Sequence, residues 1–143
     1  MFLEEIWKDI SGYEGLYQVS NLGRIRSLDR VVEDVFLGRF RRRTFKGKIL
    51  SQKSNKCYGY KEVTLHGLDR KHTTVKVHQL VAKAFIQNPN GFVEVNHKDE
   101  NVSNNRVENL EWCNHSYNTN YGSRNEKLRQ KALEQWKRQR MEE

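Results

Sequence analysis

Two places in the sequence carry residues that could act together on a phosphate ester: the pair Asn96-His97 and, further along, Asn118. Strand patterns at Val93-Glu94-Val95 and Leu110-Glu111-Trp112 enclose a polar loop over residues 98–109. A brief helix is expected to begin near His115-Ser116, with Ser116 as its N-cap. A strand end and a helix face set opposite each other can bring an imidazole and an amide oxygen to one point. Phosphodiester hydrolysis needs such a point, with a base to deprotonate water and a cation to neutralise charge on the phosphate and the leaving oxygen. Oxygen ligands suit a hard cation such as Mg²⁺.

The elements that must hold these residues are short and mostly extended. Residues 13–28 read as a β-hairpin: Tyr17 and Val19 alternate, Asn21-Leu22-Gly23 supplies a turn, and Arg24-Ile25-Arg26 resumes the alternation with basic residues on one face. Residues 29–48 carry Arg30, Arg39, Arg41, Arg42, Arg43, Lys46 and Lys48 against Asp29, Glu33 and Asp34, and read as a loop or irregular ribbon of strong positive potential. A second hairpin is expected from Tyr60–Leu65 through Gly67-Leu68-Asp69 into Thr73–Val77. Leu80, Val81, Ala84 and Phe85 then fall at helical spacing over residues 78–86, before the turn Asn88-Pro89-Asn90-Gly91. Residues 124–141 form a last helical pattern whose Leu128, Ala132 and Trp136 lie four apart. That stripe either packs on the domain or leaves the helix to lie along a partner.

Composition narrows the partners. The 143 residues include 26 Lys and Arg against 18 Asp and Glu, a net charge of +8 and a pI near 9.6. That balance favours a polyanion, most commonly nucleic acid. No apolar run approaches the roughly 20 residues that span a bilayer. The start Met1-Phe2-Leu3-Glu4-Glu5 lacks the basic and apolar regions of a signal peptide, so a cytoplasmic location with reduced Cys57 and Cys113 is expected. Zinc is the rival metal, but Cys57, Cys113, His66 and His72 match no known ligand spacing. His78 is expected to pack or hydrogen-bond at the start of its helix, and Trp7, Trp112 and Tyr17 to serve the core.

Val95-Asn96-His97-Lys98-Asp99, Asn104-Asn105, Asn109-Leu110-Glu111-Trp112 and Ser116-Tyr117-Asn118 together resemble the HNH homing-endonuclease family of the type common in bacteriophages. The run from Val77-His78 to Ala84-Phe85 resembles its lead-in. Ile6-Trp7-Lys8-Asp9-Ile10 through Ser20-Asn21-Leu22-Gly23-Arg24 to Ser27 resembles the NUMOD4 module that often precedes such nucleases. The two likenesses cover residues 4–30 and 75–122.

The resemblance implies a ββα-metal fold. It makes His97 the general base, whose ordinary pKa near 6.5 suits the task. It makes Asn96 and Asn118 ligands of one Mg²⁺ or Mn²⁺, and Asn109 the middle signature residue that holds the loop so that His97 points correctly. Many relatives have Asp where this chain has Asn96, and glycine where it has Glu100; the third signature position is Asn118 rather than histidine. Asp99, Glu100, Glu108 and Glu111 add local acidity that could draw a cation.

The expectation is therefore an α+β protein in three parts: a DNA-contacting β module with a basic loop over 1–50, a ββα-metal nuclease domain over 51–122, and a basic helical tail over 123–143. The expected activity is metal-dependent hydrolysis of double-stranded DNA by a monomer that nicks one strand, in a phage-infected host cytoplasm. Arg24, Arg26, Arg41, Arg42, Arg43, Lys46 and Lys48 are the expected DNA contacts, with no membrane and no obligate protein partner. A DNA-binding regulator that has lost catalysis, and a protein acting on RNA, are the alternatives.

Overall fold

Backbone pairing over short apolar–polar alternations dominates the computed structural model, which describes residues 4–141. In the first sheet β1 (Trp7–Asp9), β2 (Tyr17–Ser20) and β3 (Ile25–Ser27) are antiparallel, with Tyr17 opposite Ser27 and Val19 opposite Ile25. Tyr17, Val19 and Ile25 all point inward and are buried. The strands span less than the residues 13–28 expected for a hairpin, because residues 11–16 are used in a turn; β1 adds a third strand.

Residues 29–48 correct the expectation of a loop. β4 (Arg30–Phe36) and β5 (Arg39–Phe45) form a regular hairpin in full register, Asp34 opposite Arg41 and Val35 opposite Phe40. Leu37 and Gly38 both take positive φ, 52° and 74°, the conformation a two-residue hairpin turn demands. The charge run concealed a strand pattern rich in Val, Phe and Thr. Asp34 accepts from Arg41 at 2.9 Å and from Arg43 at 2.8 Å, and Glu33 lies 3.6 Å from Arg42 across the strands.

β6 (Lys53–Ser54), β7 (Lys61–His66) and β8 (His72–Lys76) form the third sheet, and α1 (Val77–Phe85) leaves β8 without a break. α1 presents Val77, Leu80 and Val81 at helical spacing to Val19, Ile25, Val63, Leu65, Val95 and Leu110, so one apolar cluster runs through both ends of the chain and across residue 50. Its final carbonyls are claimed from outside the helix: Lys8 Nζ donates to Ala84 at 3.2 Å, and the Trp112 indole donates to Ile86 at 3.1 Å. Trp112 thereby packs at the core's margin, while Tyr17 lies within it and its hydroxyl accepts the His66 amide at 3.1 Å.

β9 (Glu94–His97) and β10 (Leu110–Cys113) pair antiparallel with His97 opposite Leu110 and Asn96 opposite Glu111. α2 (His115–Asn120) follows. The helix starts at His115, as expected, but its N-cap is Asn114, not Ser116: the Asn114 side chain accepts the Tyr117 amide at 2.7 Å. α3 (Arg124–Met141) buries no residue, and Leu128 and Trp136 remain half exposed rather than packed on the domain. Glu100, in the left-handed region at φ 62°, turns its carboxylate onto the Ser123 amide and hydroxyl at 2.9 and 2.8 Å, tethering the start of α3. Among the described residues no helix is long and apolar enough to cross a membrane.

Because Asn114 supplies the cap, Asn114→Ala is expected to destabilise the protein by about 1 kcal/mol. Ser116→Ala should change stability by less than about 0.5 kcal/mol. Paired denaturant titrations decide it; a larger loss for Ser116→Ala would return the cap to that residue.

Candidate active site

The strand end at His97 meets the core rather than solvent. Its side chain lies on the face opposite Asn96, alongside α1, and only 5% of the residue is exposed. Tyr60 stacks on the imidazole at 6.0 Å between centroids and 27° between planes, and His78 meets it edge-on at 5.0 Å and 67°. His97 Nε2 lies 2.8 Å from Asn105 Oδ1. Burial holds the His97 pKa below the ordinary histidine value, opposed by the Asn105 contact and the nearby Asp99 charge. A neutral imidazole, the form able to take a proton, is therefore maintained into weakly acidic solution.

Of the two amides, Asn96 is buried on the opposite face of the strand and Asn118 is half-buried on α2. Asn96 donates Nδ2 to Glu111 Oε1 at 2.8 Å, a direct consequence of their cross-strand register. Asn118 donates Nδ2 to Glu94 Oε2 at 2.9 Å. That bond, then the one from His115, holds the Glu94 pKa below the usual carboxylate range. Tyr117 donates its hydroxyl to Glu111 at 3.0 Å, and this bond raises the phenol pKa. Since each amide nitrogen is committed to a carboxylate, planar geometry directs each Oδ1 the other way.

Asn96, His97 and Asn118 line a single cleft of about 460 Å³, with Lys76 and Arg124 at its border. Lys76 rests over the Tyr60 ring at 5.2 Å. Cations beside a neutral base suit a phosphate diester.

The cation question turns on donor chemistry. Among the described residues, no three His, Cys, Asp or Glu side chains gather as a metal cage. The oxygens on offer are the neutral amide Oδ1 atoms of Asn96 and Asn118, hard donors suited to a cation that keeps much of its water and takes phosphate oxygens. Cys57, Cys113, His66 and His72 do not converge; Cys113 is buried, its thiol pushed up to about 11 by that burial.

Asn109 holds the loop from beneath. Its Nδ2 donates to Asp99 Oδ1 at 2.9 Å and to the Asn104 carbonyl at 2.8 Å, and its Oδ1 accepts the Asp99 amide at 3.0 Å. Of the four acidic residues noted in the sequence, only Glu111 touches a site amide. Asp99 serves the loop, Glu100 tethers α3, and Glu108 lies 4.0 Å from Arg106. His115 sits on Glu94 at 2.8 Å and does not line the cleft.

Sequence reasoning missed Glu94, Tyr60, Lys76 and Arg124. For Glu94 a signal existed, since it shares a strand face with Asn96. Tyr60 and Lys76 come from distant segments, and nothing local marks them; Arg124 follows closely on Asn118 at the start of α3.

The basic residues are spread over other surfaces. Arg24 pairs with Glu5 and lies over Trp7, while Arg26 is held by Gln18 at 3.0 Å and stacks 4.2 Å from the same indole. Trp7 is thus a half-buried platform for two guanidinium groups rather than a core residue. Arg41 lies over Phe36 at 4.2 Å and Arg43 over Phe45 at 5.6 Å. Lys46 and Lys48 are exposed. None of these seven residues lines the cleft.

A model of the NUMOD4 motif matches residues 5–66, further than the residues 4–30 singled out in the sequence. An uncharacterized HNH endonuclease, L245, of Acanthamoeba polyphaga mimivirus is 36% identical over 132 residues, which are 91% of this chain and 34% of that protein. The DNA endonuclease I-HmuI of Bacillus phage SP01 is 37% identical over 112 residues, 78% of this chain and 54% of the relative. A solved structure of DNA binding and cleavage by the HNH homing endonuclease I-HmuI superimposes with a TM-score of 0.60, covering 80% of this chain and 55% of that one. The chain thus spans about a third to a half of the length of these relatives.

One buried group makes stability depend on pH. His78 is 4% exposed, its Nδ1 has no partner, and burial, aided by His97 and Lys76, lowers its pKa to about 3. Between pH 6.5 and that value the unfolded chain takes up a proton that the folded chain refuses. Stability is therefore full above about pH 6.5 and falls by about 1.4 kcal/mol per pH unit below it. His78→Phe is expected to remove about 2 kcal/mol of the stability lost between pH 6.5 and 5, read from urea titrations at both values. An unchanged acid loss would mean that some other group carries it.

Proposed function

The chain is a homologue of the HNH homing endonucleases and carries an N-terminal NUMOD4 motif, and on that premise we propose that it is a metal-dependent endonuclease that hydrolyses phosphodiester bonds in double-stranded DNA. The observation that carries this reading is the meeting of a buried, neutral His97 with the amides of Asn96 and Asn118 in one cleft bordered by Lys76 and Arg124.

In this reading His97 takes a proton from water as its oxygen attacks phosphorus, the bond to the 3′ oxygen breaks, and that oxygen takes a proton from solvent, leaving a 5′-phosphate and a 3′-hydroxyl. Asn96 and Asn118 would hold one Mg²⁺ or Mn²⁺. When bound, the cation supplies charge neutralisation at the phosphate and the leaving oxygen. Glu111 and Glu94 orient the two amides, and Asn109 keeps the loop closed under His97. Lys76 and Arg124 attract the phosphate.

DNA would be held by the 1–50 module through Arg24, Arg26, Arg41, Arg42, Arg43, Lys46 and Lys48, with the nuclease part in 51–122 and α3 as a basic tail. The ion pairs on the β4–β5 hairpin are no obstacle. Exposed pairs are worth only about 0–1 kcal/mol, so a guanidinium can exchange carboxylate for phosphate at little cost. A second reading, a DNA-binding regulator without catalysis, is favoured by one feature: both proposed ligands are neutral amides, and among the described residues no acidic cage surrounds them.

A supercoiled plasmid incubated with Mg²⁺, Mn²⁺ or EDTA separates the two. Metal-dependent cutting is expected, lost by about 10²- to 10⁴-fold in His97→Ala with DNA affinity retained. Tight binding without cutting in every metal would establish the regulator. One site per protomer further predicts open circles before linear product at limiting enzyme, and direct linearisation would instead require a symmetric pair of sites.

Replacing Arg41, Arg42 and Arg43 with alanine should weaken binding to all sequences and flatten the salt dependence by roughly one slope unit per lost phosphate contact. Asp34→Asn, which releases Arg41 and Arg43, should move affinity the other way. A salt slope unaltered in the triple variant would mean that the hairpin does not touch DNA.

A further inference from the structure

We propose that Asn105 is a positioning residue that decides which ring nitrogen of His97 carries the proton, and that the Asn21-Leu22-Gly23 turn of the N-terminal module holds Asn105 in place for that task. The proposal rests on the reading of His97 as the base, and it names the nitrogen that acts.

The chemistry begins with the 2.8 Å contact between His97 Nε2 and Asn105 Oδ1. An amide oxygen can only accept, so Nε2 must bear the hydrogen of the neutral ring. The lone pair, and with it the capacity to take a proton from water, is then on Nδ1. Neither residue can exchange this bond for solvent, since His97 is 5% and Asn105 4% exposed. The rings of Tyr60 and His78 pack against the imidazole, which still lines the cleft. Asn105 is therefore the polar group that distinguishes the two ring nitrogens.

What positions Asn105 comes from the other end of the chain. Gly23 sits against it so closely that an added Cβ would lie 2.9 Å from the Asn105 carbonyl oxygen and 3.0 Å from its Cβ. Gly23 also has φ of +86°, a conformation that side chains disfavour. The turn is rigid in its own right: Ser20 Oγ accepts the amides of Leu22 and Arg24 at 3.2 and 3.0 Å, and Gln52 donates to the Gly23 carbonyl at 2.8 Å. A backbone bond from Val107 to the Asn21 carbonyl at 3.0 Å fastens the loop to the turn two residues beyond Asn105. A path of direct contacts thus runs from the N-terminal turn through Asn105 to the imidazole. The N-terminal module takes part in aiming the base as well as in its proposed contact with DNA.

The test uses the full chain labelled with ¹⁵N-histidine, near pH 8 where His97 is neutral, and reads the ring nitrogens in long-range ¹H–¹⁵N correlation spectra. The expected result is a His97 ring protonated on Nε2 and bare on Nδ1. Asn105→Leu removes the acceptor and should give a mixed or reversed tautomer, with kcat lower by about 10- to 100-fold and little change in DNA affinity. Asn105→Asp, which restores an acceptor, should restore the Nε2–H form and recover kcat relative to the leucine variant. Gly23→Ala should shift the His97 signals although it lies in the other module. A parental ring protonated on Nδ1, or an Asn105→Leu variant with unaltered His97 signals and kcat, overturns the proposal. Should Asn105→Leu fail to fold, the parental and Asn105→Asp spectra still decide. A chain that shows the expected tautomers but cuts no DNA keeps the positioning role and refutes the nuclease reading.

Discussion

The segment between β9 and β10 has to be rigid without a core of its own. Of its residues 98–109 only Val102 and Val107 are aliphatic, and the rest are amides, charges and a serine. The side chain of Asn109 replaces the missing apolar packing with three hydrogen bonds, two to Asp99 and one to the Asn104 carbonyl. Such bonds contribute only about 0.5–1.5 kcal/mol each net, but a buried partner left unmade costs about 1–3 kcal/mol. The loop is therefore held less by a large gain than by the penalty for opening it. Every feature of the cleft depends on that closure: it places Asn105 under the imidazole, and it sets Glu100 where its carboxylate can reach Ser123.

Polar chemistry and apolar packing are divided between the two faces of one short ribbon. On the inner face His97 and Val95 join the cluster around α1, and burial keeps the imidazole neutral. On the other face Glu94 and Glu111 stay partly exposed, where their charges cost little, and they orient the amides of the buried Asn96 and the half-buried Asn118. A neutral base and an oxygen-rich outer face can coexist within one strand only because adjacent side chains point opposite ways. The same economy explains Glu94 and Glu111. Where an acidic residue in Asn96's place would have presented its charge directly, here the carboxylates stand one step back and act through the amides.

The β4–β5 hairpin obeys a different constraint. It leaves Val35 70% and Phe40 68% exposed on one face, while Arg41, Asp34 and Arg43 interlock over Phe36 and Phe45 on the other. A ribbon with two wet faces is marginal by packing alone. Cross-strand ion pairs and guanidinium–aromatic stacking therefore stand in for a core, and they also fix the register that displays the arginines. Charges flanking the apolar positions discourage edge-to-edge association.

Local pattern sufficed for the elements that carry a regular signal. The α1 stripe, the β7–β8 hairpin and the strands on either side of the polar loop follow from hydrophobic spacing, while His97, Asn96, Asn109 and Asn118 are singled out by the likeness to the nuclease family. The β4–β5 strands were hidden because one of their faces carries charges that pair across the ribbon, a compensation visible only once the register is known. The cap of α2 went to Asn114 because cap geometry depends on where β10 lets the chain go, which no local preference for serine can settle. Burial of His97, the stacking of Tyr60, and the contact of Gly23 with Asn105 join segments far apart in the chain. These were decided by packing around α1, because the ionisation and orientation of a side chain follow from what surrounds it, and a sequence records its neighbours only along the chain.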